Sequence, residues 1–211
     1  MKPNILLFDI DSTLFDTDKF KKNIVEELAA HFHLEREHFS QFDANYHDKI
    51  QTVIGINIKD YTEQVGKEFS LSPEVIFSRI MKNKKLYTES LYPDTVSALI
   101  TLSKKYTLGI FSQGYRSFQE NKLKQSGILP FFKKEYIFIF PDKTLESSLK
   151  TIPSDSIIIE DKQRIVHIIK NYIRVIHMNR DRKESEHDSS IRNLADLPLF
   201  LCSAFEGNES N

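Results

Sequence analysis

Asp9 and Asp11 stand one residue apart in FDIDSTLFDT, directly after an apolar run and just ahead of Thr13. Carboxylates so close repel each other, and the usual compensation for clustered oxygens is a hard divalent cation such as Mg2+. A strand buried on both faces has no use for two ionised groups, so the pair belongs to the turn that follows the strand. Three more polar turns close apolar runs later in the chain: Ser112-Gln113 in GIFSQG, Lys143 in FPDKTLESSL, and Glu160-Asp161 in IIIEDKQ. Acids directly behind three isoleucines fit metal ligands better than a solvated face.

The elements that must carry these turns follow from periodicity. NILLFDI suits a parallel strand buried on both faces and ending at the aspartates. From Thr17 the pattern changes to helical spacing, with Phe20, Ile24, Leu28 and Phe32 in one helix and Phe39, Phe42, Tyr46, Ile50 and Val53 in a second. A third helix is expected around KDYTEQVGKEF, and a fourth from LSPEVIF, where Ser72 can cap and Pro73 fits the first helical position. After YPD, helices alternate with the strands TLGIF, YIFIF, SIIIED and RVIHM. That alternation predicts an α/β fold built on a parallel sheet. Right-handed crossovers would put the turns carrying DID, SQG, PDK and ED on one edge of that sheet. The organisation read here is a discontinuous Rossmann-like core, residues 1–16 and 91–202, with a small α-helical domain at 17–90 inserted into it and a flexible tail at 203–211.

This constellation resembles the haloacid dehalogenase superfamily, whose members are mostly Mg2+-dependent phosphatases. Asp9, Asp11 and Thr13 match its first motif, D-x-D-x-T. The resemblance implies that Asp9 is the nucleophile forming an aspartyl-phosphate and Asp11 the general acid and base. It implies that Ser112, with Gln113 beside it, and Lys143 hold the phosphoryl group, Lys133 and Lys134 being the rivals of Lys143. It also implies an Mg2+ ion bound by the Asp9 carboxylate, the Asp11 backbone carbonyl, Asp161 and Glu160. Many relatives carry Gly-Asp with a further Asp four or five residues on, where this chain has Ile165 and Val166, but the Glu-Asp version also occurs in enzymes resembling β-phosphoglucomutase. Ser12 replaces the commoner Gly of the first motif. Residues 17–90 correspond to the cap that such enzymes close over the site.

The expected activity is hydrolysis of a small soluble phosphorylated metabolite. The alternatives are a phosphomutase of the β-phosphoglucomutase type and a weakly catalytic metabolite- or partner-binding protein of the same fold. Dehalogenases on this scaffold lack an aspartate at the position of Asp11, because departing halide needs no proton. The 29 basic and 30 acidic residues nearly cancel and form no basic stripe, so no nucleic-acid partner is expected. No apolar run approaches the roughly 20 residues of a membrane span, so no membrane partner is expected either. Cys202, the only cysteine, is read as a buried inert thiol and excludes an internal disulfide; it fits a reducing, cytoplasmic setting. The expected assembly is a monomer or homodimer. The cap histidines His31, His33, His38 and His47 read as solvated or core-edge residues, and Tyr46, Lys49, Lys59 and Arg116 are open candidates for substrate contact.

Overall fold

The computed structural model describes residues 4–49, 55–180 and 189–205. Among them, six parallel strands form one sheet in the order β3-β2-β1-β4-β5-β6: β1 (Ile5–Phe8), β2 (Thr107–Gln113), β3 (Ile137–Phe140), β4 (Ser156–Glu160), β5 (Arg174–Met178) and β6 (Ser190–Ile191). β1 is buried throughout because it is central, with β2 on one side and β4 on the other. Its alternate residues feed two apolar layers, Leu6 and Phe8 on one face and Ile5 and Leu7 on the other. The strand order reverses at β1 and β4, and a crevice opens outside the carboxyl ends of such a pair.

Five helices lie between β1 and the next core helix: α1 (Thr17–Phe32), α2 (Arg36–Lys49), α3 (Ile58–Phe69), α4 (Pro73–Lys82) and α5 (Lys84–Thr88). The side chain of Asp16 accepts from Lys19 N to cap α1, Asn57 caps α3, and Ser72 caps α4 ahead of Pro73. α5 breaks the expected single helix at Asn83. The expected pattern positions Ile50 and Val53 lie outside the described residues. The chain leaves and re-enters the sheet side by side, since Asp16 N donates to Ser90 O at 2.7 Å and Phe15 bridges Leu91. The apolar packing is continuous across this junction, running from Leu6 and Phe8 through Phe20 and Leu28 to Phe39, Tyr61 and Ile76.

The remainder alternates as expected: α6 (Thr95–Leu102), α7 (Arg116–Gln125), α8 (Glu146–Leu149), α9 (Gln163–Ile169) and a C-terminal α10 (Leu197–Phe205). Gly127 follows α7 with φ +81°, a conformation that costs a residue without Cβ little. β6 is a strand that the sequence pattern does not predict: Ser190 and Ile191 pair with His177 and Met178, and Ile191 is buried. The charged run before it, residues 181–188, and the tail 206–211 lie outside the described residues. Cys202 is half-buried on α10, which corrects the expectation of a buried thiol: α10 packs beside α6 with Leu197 and Leu201 buried, and Cys202 lies at the edge of that face. No helix among the described residues is long and apolar enough to cross a membrane.

Candidate active site

The ladder register builds the site. Phe8 lies opposite Ile159, so the next residues along, Asp9 and Glu160, leave adjacent strands side by side. Ser112 pairs with Ile139 and Gln113 with Phe140, three residues before Lys143. The four turns meet as the sequence predicts.

Lys143 is the centre of the arrangement. Its ammonium lies 2.9 Å from Asp9 Oδ1 and 2.5 Å from Glu160 Oε2, and all three side chains are buried. Burial alone would lower the lysine pKa, but Asp9 and Glu160 more than reverse that and hold it well above its ordinary value. Lys143 N donates to Gln113 Oε1 at 3.4 Å, so the amide after Ser112 helps to seat the lysine. Lys133 and Lys134 are exposed and take no part in this group.

The carboxylates of Asp9, Glu160 and Asp161 each bring an oxygen within 4.8 Å of the others. Burial, then the charges of Asp9 and Glu160, push the Asp161 carboxyl up to about 9. Glu160 rises as well, again through burial, although Lys143 opposes it. Asp161 Oδ1 is buried without a hydrogen-bond partner. An orphaned carboxylate oxygen facing two further carboxylates fits a hard cation with oxygen ligands, such as Mg2+. Glu160 is engaged by Lys143 and by Lys162 N at 3.1 Å, which leaves Asp161 the freer ligand. His177 Nε2 lies 3.0 Å from the Asp161 carbonyl, and a cavity of about 400 Å³ opens beside it, lined among others by Ser12, Tyr92 and Arg180.

Ser112 Oγ is also buried and lacks a hydrogen-bond partner, a hydroxyl available to an incoming oxygen. Ser12 has φ 59°, in the left-handed region, which explains why glycine is the commoner residue at that place in the motif. Arg180 steadies the same loop: its guanidinium donates to Thr13 O at 2.7 and 3.0 Å, pairs with Asp94 at 3.1 Å and stacks on Tyr92.

The carboxylate of Asp11 stands apart from the acidic cluster. It turns toward α1 and α7, where Oδ1 accepts from Thr17 Oγ1 at 2.6 Å and meets Lys122 Nζ at 2.5 Å, while Oδ2 accepts from Gln119 Nε2 at 2.8 Å. Burial pushes its pKa up, but Lys122 and the three hydrogen bonds outweigh that and hold it well below the usual carboxylate range. The sequence reading missed Thr17, Gln119 and Lys122. A usable trace was present: Gln119, Lys122 and Ser126 are polar residues at helical spacing on the same buried side of α7 as Phe118 and Leu123.

Other candidates are occupied elsewhere. Tyr46 OH donates to Asp60 at 2.7 Å, Arg116 pairs with Glu120, His38 with Glu68, and His47 with Asp43.

The sequence profile of the haloacid dehalogenase-like hydrolases matches residues 6–171, and this chain belongs to that family. No curated protein sequence matches significantly. Among solved structures, a haloacid dehalogenase-like protein of Burkholderia xenovorans is 19% identical, with 92% of this chain and 94% of that one covered and a TM-score of 0.69. YfnB of Bacillus subtilis, solved with magnesium bound, is 19% identical over 95% of this chain and 99% of its own, with a TM-score of 0.60. A phosphatase of the same class from Thermococcus onnurineus is 21% identical over 94% and 97%, with a TM-score of 0.59. At these identities the likeness establishes the fold.

Proposed function

We propose that the protein is an Mg2+-dependent phosphate monoester hydrolase that works through an aspartyl-phosphate on Asp9. The observation that carries this reading is the placing of two aspartates of one turn in different surroundings: Asp9 on Lys143 beside the acidic cluster, Asp11 on Lys122 away from it. A phosphate monoester entering as its monoanion supplies the proton that Asp11, ionised on Lys122, takes up at Oδ2. In the first step an Asp9 oxygen bonds to phosphorus as the ester P–O bond breaks, and Asp11 passes that proton to the departing oxygen. In the second step Asp11 takes a proton from water, the water oxygen bonds to phosphorus, and Asp9 is released with inorganic phosphate. Ser112 Oγ and Lys143 Nζ bind the phosphoryl oxygens, and the lysine offsets their charge. Asp9, Asp161, Glu160 and the Asp11 carbonyl would hold Mg2+, which supplies positive charge opposite the phosphoryl oxygens when bound. Asp11 argues against dehalogenation, where the leaving halide needs no proton.

Residues 17–90 are proposed to act as a cap that excludes water and selects a small phosphorylated metabolite. The relative solved with magnesium and the relative named as a phosphatase support the reading without fixing a substrate. Phosphate release from a panel of small phosphate esters, with Mg2+ and with EDTA, tests it beside Asp9→Asn. Metal-dependent release that the variant loses is expected. Release that survives Asp9→Asn would remove Asp9 as nucleophile, and silence from folded protein across the panel would remove the hydrolase reading.

A further inference from the structure

Lys122 belongs to none of the four turns that converge on the site, yet it is one of the most buried charged residues, with 4% of its surface exposed. Its ammonium sits between the rings of Phe15 and Phe118, at 5.5 and 5.0 Å from their centroids. It also borders a small cleft of about 40 Å³ lined by Thr17, Phe20, Ile24 and Tyr61. Among the described residues its ion pair is with Asp11. A buried ion pair is a poor device for stability, because desolvation consumes most of the Coulombic gain. The two Asp11 oxygens are also held unequally. Oδ1 has two donors, Lys122 and Thr17; Oδ2 has one, Gln119, whose amide nitrogen also donates to Gln113 O at 3.0 Å. Gln119 can therefore release Oδ2 and keep a hydrogen bond, whereas release of Oδ1 would strand a buried ammonium.

We propose that Lys122 is a positioning residue for Asp11: it anchors Oδ1 and so leaves Oδ2 as the oxygen that exchanges a proton with the leaving group. The inference rests on the phosphatase reading for its chemistry and on geometry alone for its placement, and the two are tested apart. A crystal structure of Lys122→Met is expected to show the Asp11 carboxylate rotated off Thr17 and Gln119. A carboxylate unmoved there would overturn the proposal. On kinetics, kcat/KM reports the steps through aspartyl-phosphate formation, so it isolates the proton given to the leaving group. For an alkyl phosphate it should fall about 10²-fold in Lys122→Met, within the range of acid/base contributions. For p-nitrophenyl phosphate, whose phenolate departs unprotonated, the loss should stay below about threefold, with inhibition by inorganic phosphate unchanged. Equal losses on both esters would make Lys122 merely structural and overturn the proposal. If the methionine variant does not fold, Lys122→Ala carries the same two tests, whereas Lys122→Gln, which keeps a donor, should hold the carboxylate in place and lose less on the alkyl phosphate. A wild-type protein that hydrolyses neither ester would sink the phosphatase reading, while the crystallographic test of positioning would still decide for or against Lys122.

Discussion

Asp161→Asn should make the metal-free protein more stable. Asp161 faces Asp9 and Glu160 with carboxylate oxygens within 4.8 Å. At that separation and an effective dielectric constant of about 20, each like-charge pair costs about 3.5 kcal/mol. Lys143 offsets about one of the two pairs, so about 3 kcal/mol of unrelieved repulsion remains when Asp161 is ionised. The alternative is to bind a proton, since the folded pKa has risen from 3.8 to about 9. The sign follows from linkage: a raised folded pKa favours folding below the unfolded pKa, and that benefit is lost as pH rises toward about 9. An amide at this position carries neither cost. For a chain of this size each kcal/mol moves Tm by about 2–4 °C. In EDTA at pH 7.5 the variant should therefore melt at least about 5 °C above wild type, and the gap should widen between pH 5.5 and pH 8.5. Mg2+ at a hundred times its Kd stabilises by about 2.7 kcal/mol a protein that binds it only when folded. The wild type should gain that much and the variant much less, so saturating Mg2+ closes the gap. Thermal melts with and without Mg2+ read all of this. A variant that melts below wild type in EDTA, or an equal Mg2+ shift in both proteins, would refute the assignment of Asp161 to the metal.

Asp11→Asn should slow turnover of alkyl phosphates about 10²- to 10⁴-fold and leave the Mg2+ dependence of Tm unchanged, because the metal would meet its backbone carbonyl; equal loss of Mg2+ affinity would contradict that role. Gly109→Ala should destabilise by about 1–3 kcal/mol through overpacking, since a Cβ there would stand 2.5 Å from Tyr136 O and 2.6 Å from Leu7 Cδ2; urea denaturation measures it, and a neutral result would mean that β2 and β3 shift apart easily. Arg180→Ala should cost about 3 kcal/mol by stripping a part-buried charge partner from Asp94 and freeing Thr13 O; an unchanged urea midpoint would show that the first loop does not depend on this clamp.

The chemistry that lies on strand ends was legible, because register is a local consequence of apolar pattern and each polar turn begins where a buried run stops. Asp9, Ser112, Lys143, Glu160 and Asp161 could all be placed that way, and five of the six described strands came with them. β6 was not legible: two residues, of which Ile191 alone is apolar and buried, give no alternation to count. The short α5 was hidden for a related reason, since Asn83 interrupts a pattern whose apolar spacing otherwise continues. Lys122 and Gln119 escaped because helical position says which side is buried but not what waits there. Only the packing of α7 against the first loop, more than a hundred residues away in sequence, turns a buried lysine into a partner for Asp11.

That partner bears on how Asp9 and Asp11 can stand one residue apart. Repulsion within the turn called for a divalent cation, yet each aspartate has a buried ammonium of its own: Lys143 for Asp9 and Lys122 for Asp11. The pair is separated electrostatically before any metal arrives, with one carboxylate turned toward β4 and the other toward α7. What stays unbalanced is elsewhere. Four acids, Asp9, Asp11, Glu160 and Asp161, face two lysines, so two formal negative charges remain, and the carboxyls pushed up in pKa are Glu160 and Asp161 at the end of β4. A divalent cation would neutralise that remainder, at the place where Asp161 Oδ1 lacks a partner. The demand for positive charge therefore comes less from the two aspartates of the first turn than from the Glu-Asp pair that β4 delivers beside them.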